Sequence, residues 1–245
     1  MDSKEEYLKI IESNIIKYGY HIYGIFDSGP LPRFFYTIGL TGEIGSELIF
    51  AGAFLYSDEE VKDIIDEIII KLKEDTNINR STTTLGEFSL EAVDPTWSEK
   101  LMLGVLDYYN VSKINSLQII PTDDYYLTID VPKFVNKYDP ALEPVWKWLT
   151  MEWDFPIPKN SMCAADLDAL HGKSIVQAIR WEEDYWEVYS KPSSEVLQED
   201  ARFVFLGIFL AVDFSNEIFA QLSVNEAASR IDADHDWELW GVKEG

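Results

Sequence analysis

Side-chain chemistry in a protein starts most often from histidine, cysteine and closely spaced acids, and this chain has few of the first two. Its histidines are His21, His171 and His235, and its one cysteine is Cys163. They are scattered, with no His-Glu-x-x-His and no Cys-x-x-Cys, so no metal centre is expected. Asp232, Asp234 and Asp236 alternate in IDADHDWE, as in the first half of a calcium loop. The sixth position is Trp237 where such a loop turns on glycine. The twelfth is Lys243 where it needs a bidentate glutamate, so the stretch reads as a solvated acidic turn. Gly-x-Ser-x-Gly is absent, and GEIGSE (42–47) lacks the Lys-Ser/Thr of a phosphate loop. No catalytic residue and no cofactor is expected from these patterns.

Carboxylates are abundant instead. The 245 residues carry a net charge of −24. Residues 1–140 hold 12 Lys/Arg against 24 Asp/Glu and residues 141–245 hold 8 against 20, so each part nets −12. The whole surface is acidic, which excludes nucleic acid and anionic membranes as direct partners. It favours encounter with a basic protein. Hydrophobic residues make up 47% of the chain and aromatics 14%, ample for packed cores. The longest apolar run, FVFLGIFLAV (203–212), is too short to cross a bilayer. With no basic-then-apolar leader and no disulfide possible, the expected location is the cytoplasm.

The elements that would position these groups follow from periodicity. Residues 3–18 are amphipathic at helical spacing, with Gly19 placed to end the helix. YHIYGIF (20–26), FFYTIGL (34–40) and ELIFAGAF (47–54) read as strands. Ser57-Asp-Glu-Glu60 is a capping box opening a helix with Val61, Ile64, Ile65, Ile68 and Leu72 on one face. A strand is expected over 83–93, a helix from Asp94-Pro95 to about Tyr109, a strand over 115–121 and a helix opening at Asp139-Pro140. KSIVQAIRW and DYWEVYS predict a strand pair joined through the acidic turn Glu182-Glu183-Asp184. A helical stretch is expected around 195–222, and a short strand or turn near DWELW. Strands mixed with helices, without regular βαβ repetition, predict an α+β protein of two units, each a mainly antiparallel sheet with packed helices. Two prolines in TMEWDFPIPKNS place the expected boundaries at 1–149, a linker over 150–161, and 162–245. Trp146, Trp148 and Trp153 cluster there and read as glue between units.

The segments YGYHIYGIF with His21, FFYTIGL, SELIFAG, LMLGVLDYY and SLQII together resemble a bacterial family of domains of unknown function, over roughly residues 5–130. Its signature is a strand F-x-Y-T-I-G-L followed by a P-E-L-like strand. Here Ser46 stands where that family has proline, and Ile120-Pro121-Thr122-Asp123 replaces its W-P-D. Residues 162–240 are similar to the small domains of bacterial immunity-protein-like families, through SMCAADLDALHGKSI, DYWEVYS and LSVNEAASRIDADHDWELW. The resemblance implies a protein that neutralises a toxin, and brings no catalytic residues.

Charge and resemblance lead to one expectation: a non-enzymatic cytoplasmic binding protein that covers the active surface of a basic toxin. Its candidate contacts are Glu182, Glu183, Asp184, Asp232, Asp234 and Asp236, with Trp181 and Tyr185 as apolar anchors. The alternative is an enzyme or small-ligand binder with a pocket near His21, Tyr36 and Thr37. Alternation sets Phe34, Tyr36 and Ile38 on one face of their strand, and Phe35, Thr37 and Gly39 on the other.

Overall fold

Each of the two strand-rich regions closes its own six-stranded mixed sheet, as the computed structural model shows for residues 3–26 and 29–242. The first unit comprises residues 1–26, 33–127 and 131–139, the second 27–32, 128–130 and 140–245. The fold class is α+β. Residues 150–161, expected as a linker, fall within the 140–245 segment of the second unit.

In the first unit the strands are β1 (His21–Ile25), β2 (Phe34–Ile38), β3 (Glu47–Ala51), β4 (Arg80–Thr83), β5 (Gly86–Ala92) and β6 (Ser116–Pro121). Their order is β1-β2-β3-β6-β5-β4, antiparallel except for the central pair β3–β6. β2 and β3 are buried at every position, as central strands covered on both faces must be. The helix α3 (Asp58–Glu74) begins at the expected capping box: Ser57 Oγ accepts from Glu60 N at 3.2 Å and Glu60 Oε2 from Ser57 N at 2.6 Å. Acids in its first turn and Lys71 and Lys73 in its last complement the helix dipole. Its Val61, Ile64, Ile65, Ile68 and Leu72 bury against Phe35, Leu48, Phe50, Phe88, Leu90 and Ile119.

The helix α1 (Ser3–Tyr18) serves the opposite face, where the Tyr7 ring meets Tyr23 at 5.2 Å and Tyr23 meets Tyr36 at 5.2 Å. The short helix α2 (Thr41–Ile44) connects β2 to β3. The helix expected from Asp94 to Tyr109 is two, α4 (Pro95–Leu101) and α5 (Leu103–Tyr109). Met102 is the break: its N–H closes α4 onto Ser98, its φ of −99° and ψ of 42° leave the helical region, and its carbonyl accepts from Val105 and Leu106 to start α5.

In the second unit the strands are β7 (Met162–Asp166), β8 (Gln177–Arg180), β9 (Tyr185–Tyr189), β10 (Ala201–Phe205), β11 (Glu226–Ser229) and β12 (Glu238–Gly241). Their order is β10-β7-β9-β8-β11-β12, with β7–β9 the parallel pair. Register puts Val204, Cys163, Trp186 and Ala178 on one face, all buried, and the Trp186 indole donates to Phe219 O at 3.1 Å. The helical stretch expected over 195–222 is only partly helical. Its first apolar residues form β10 on β7, and the chain then makes α7 (Gly207–Val212) and a 3-10 helix over Phe214–Gln221. The stretch after Asp139-Pro140 is likewise a 3-10 helix, Pro144–Leu149. There Trp146 is fully buried and donates to Asp130 O at 3.0 Å, and Trp148 donates to Gly207 O at 3.1 Å. The helix α6 (Leu167–Leu170) follows β7.

Candidate functional site

The β8–β9 hairpin carries the acidic turn, and Arg180 fixes it. The Arg180 guanidinium donates to the backbone carbonyls of Glu182 (3.1 Å), Glu183 (2.7 Å) and Leu222 (2.7 Å), and lies over the Trp186 ring at 4.7 Å. The N–H groups of Trp181 and Glu182 both reach Tyr185 O. Arginine thus spends its donors on main chain. Among the described residues, the carboxylates of Glu182, Glu183 and Asp184 have no ion-pair partner, and all three are exposed. Three like charges on a fixed turn make a local field that a mobile loop would smear out. Trp181 and Tyr185 flank it half-buried. The Tyr185 ring lies 6.1 Å from that of Phe203, which is 71% exposed.

Asp232, Asp234 and Asp236 do not join this cluster. Glu226 pairs with Arg180 and Ser229 with Gln177, so β11 starts beside the acidic hairpin and ends at the far end of the sheet. The aspartates follow that far end, a strand length away, about 10 Å at ~3.3 Å per residue. They are exposed. Asp232 Oδ1 accepts from Asp234 N at 2.9 Å and meets His235 Nδ1 at 2.6 Å, and the histidine contact holds the Asp232 carboxyl below its usual value. Lys243, at the twelfth loop position, lies outside the described residues. No group of three acidic, histidine or cysteine side chains among the described residues is placed to hold a metal ion. Cys163 is fully buried, and burial pushes its thiol up, away from reactivity.

His21, Tyr36 and Thr37 do not line one pocket. Tyr36 pairs with Tyr23 and Thr37 with Ile22, so the two point to opposite faces of the sheet. Tyr36 is 1% exposed, and its hydroxyl accepts from Gly104 N at 3.2 Å. His21 lines a cleft of about 300 Å³ with Asn14, Tyr18, Tyr20, Ile22 and Asp66. Its Nδ1 meets Asn14 Nδ2 at 2.8 Å, and burial lowers its basicity.

Thr37 belongs to a different arrangement, centred on Glu47 at the head of β3. Glu47 is fully buried. Its Oε2 accepts from Thr37 Oγ1 at 2.7 Å. Its Oε1 accepts from the N–H groups of Gly39 (3.1 Å), Leu40 (3.0 Å) and Thr41 (3.0 Å), from Thr41 Oγ1 (2.8 Å) and from the Tyr109 hydroxyl (2.8 Å). Thr37 Oγ1 in turn accepts from Leu48 N at 2.8 Å. Gly39 has φ of +118°, and a Cβ there would press within 3.0 Å of the Ile15 side chain. The backbone after β2 is therefore curled around one carboxylate, which glycine permits. Burial, then the Glu47 charge and the hydrogen bond to it, push the Tyr109 phenol up to about 12. Fully buried and held by six donors, the carboxylate acts as a staple for the chain folded around it.

Residues 14–125 match the family model of a domain of unknown function, DUF4262. The matched stretch falls in the first unit except for residues 27–32, and contains the whole Glu47 arrangement: Thr37, Gly39, Leu40, Thr41, Glu47 and Tyr109. In this chain the backbone that ends FFYTIGL wraps the acid of SELIFAG. No curated protein and no solved structure matches the chain. No helix is long and apolar enough to cross a membrane among the described residues. Sequence reading missed Glu47, Tyr109, Arg180 and Phe203. The legible signal for Glu47 was an acid heading an otherwise apolar central strand.

Proposed function

We propose that the chain is a non-enzymatic, cytoplasmic binding protein whose second unit engages a basic protein, in the manner of an immunity protein covering a toxin's active surface. The observation that carries this reading is the hairpin at 181–185, where Arg180 holds the backbone and leaves three carboxylates unpaired beside Trp181, Tyr185 and the exposed Phe203. Charged groups on a fixed turn steer encounter, and adjacent aromatics supply the desolvated anchor. Asp232, Asp234 and Asp236, a strand length from the hairpin, add to the steering field and to the candidate contact surface.

The rival pocket draws less support, because Tyr36 and Thr37 are engaged within the first unit's interior. The test is co-expression with the product of the adjacent gene. The reading expects that product to be toxic alone, harmless with this chain present, and bound to it. Failure to bind or to rescue growth overturns the reading.

A further inference from the structure

The second unit's sheet ends on β10, which pairs with β7 on one side and, among the described residues, with no strand on the other. Two backbone bonds fix which of its groups face outwards. Leu206 N donates to Ser161 O at 2.9 Å, across to the chain entering β7, and Met162 N donates to Asp184 O at 2.8 Å, on the β9 side. Alternation then turns the N–H and C=O of Arg202 and Val204 towards β7, and those of Ala201, Phe203 and Phe205 away from it. Ala201 is already engaged: its N–H closes onto Gln198 O, and its carbonyl accepts from Arg202 Nη1 at 3.0 Å. The N–H and C=O of Phe203 and Phe205 have no partner among the described residues. Phe203 is 71% exposed, so the strand is uncovered at that point. Edge strands are commonly blunted by lysine, proline or a bulge. ARFVF has no lysine or proline, and it runs in unbroken register over all five residues. Its one cation, Arg202, donates to the backbone carbonyls of Glu199 and Ala201.

Carboxylates stand at both ends of this open edge. Glu199 and Asp200 immediately precede it, and Glu199 is exposed. At the other end, Phe205 is in register with Met162 and Met162 with Tyr185, which sets the acidic turn before Tyr185 two strands from the edge, about 10 Å across. None of these carboxylates has an ion-pair partner among the described residues. A second copy of a chain with net charge −24 is repelled there, and a basic segment is attracted.

We propose that the basic partner adds an extended segment to β10 as a seventh strand, its backbone pairing with Phe203 and Phe205 and its cationic side chains drawn by the carboxylates at the two ends of the edge. This rests on the reading of the second unit as a binder of a basic protein, and it supplies the mode of recognition: main chain along the edge, charge at its ends.

The test is residue-resolved amide exchange of the full chain, alone and bound to the adjacent gene product, together with the affinities of two variants. The amides of Phe203 and Phe205 are expected to slow at least tenfold on binding, while those of Arg202 and Val204, which face β7, hardly change. Phe203→Ala removes the ring; Phe203→Pro removes the ring and the outward N–H, and proline is tolerated on an edge strand at a position whose N–H faces solvent. Phe203→Pro is expected to bind at least tenfold more weakly than Phe203→Ala. If the proline variant does not fold, the exchange of the parent decides alone. A parent that binds with exchange at Phe203 and Phe205 unchanged overturns the strand addition and leaves the binding reading standing. So does equal affinity of the two folded variants, which would make Phe203 a ring contact only. A dimer of the free chain that Phe203→Pro disperses also overturns it, since the occupant would then be a second copy. Failure of the parent to bind at all overturns both.

Discussion

The Tyr109 hydroxyl donates to Glu47 Oε1 at 2.8 Å across 62 residues of sequence. That bond ties α5 to the head of β3, and through the same carboxylate to the backbone at Gly39, Leu40 and Thr41. The chain after β2 folds back because its donors converge on a buried charge. Removing that charge leaves them orphaned.

Glu47→Ala is therefore expected to destabilise the first unit severely, by about 3–5 kcal/mol, because several buried donors lose their acceptor at once. Tyr109→Phe removes one of six donors to the carboxylate and is expected to cost about 1–2 kcal/mol. Urea denaturation monitored by tryptophan fluorescence and amide exchange at Leu40 and Thr41 would check both. A Glu47→Ala protein as stable as the parent would mean the carboxylate is dispensable.

The same bond sets a pH dependence. The Tyr109 phenol is raised from its usual 10.0 to about 12, so the folded state holds this proton more tightly than the unfolded chain does. Its contribution is complete below pH 10 and is lost as pH rises from there through about 12. The stability advantage of the parent over Tyr109→Phe should be constant from about pH 7 to 9 and shrink towards about pH 12. Paired denaturation curves across that range report it. A difference that stays flat would separate the hydroxyl from the titration.

Gly104 and Tyr36 form a second local pair. A Cβ at position 104 would stand 2.7 Å from the Tyr36 hydroxyl, which already accepts from Gly104 N. Gly104→Ala is expected to cost about 1–3 kcal/mol through overpacking. In a Tyr36→Phe background the alanine meets no hydroxyl, so the two costs should fall short of additivity by about 1 kcal/mol. Strict additivity in the double-mutant cycle would assign the crowding to some other neighbour.

Legibility in the sequence followed how local each determinant is. The helix α3 was readable because its capping box and apolar spacing sit within seventeen residues. The β8–β9 hairpin was readable because its acidic turn separates two alternating runs. FVFLGIFLAV was not: a continuous apolar run has no period, and pairing with β7 rather than propensity makes its first residues a strand. The Glu47 staple was hidden because its last donor comes from α5. Nor could the sequence show that Asp232, Asp234 and Asp236 lie a strand length from the Glu182 turn, since register alone decides that.

Arg180 is expected to order the acidic turn and not to neutralise it. Arg180→Lys keeps the charge but cannot reach the carbonyls of Glu182, Glu183 and Leu222 together. Amide exchange across 181–185 should quicken at least several-fold while the rest of the sheet is unchanged, and partner association should slow. Unaltered exchange would show that the backbone bonds from Trp181 and Glu182 to Tyr185 suffice.

The central claim is that the unpaired carboxylates of the hairpin meet a basic partner. Its most direct test is the association rate of the adjacent gene product with the parent chain and with Glu182→Lys/Glu183→Lys/Asp184→Lys, measured from low to high salt. The account predicts a parent rate that falls steeply with salt, and a variant rate at least tenfold slower at low salt with little salt dependence. Equal rates for parent and variant, with the same salt slope, would contradict it.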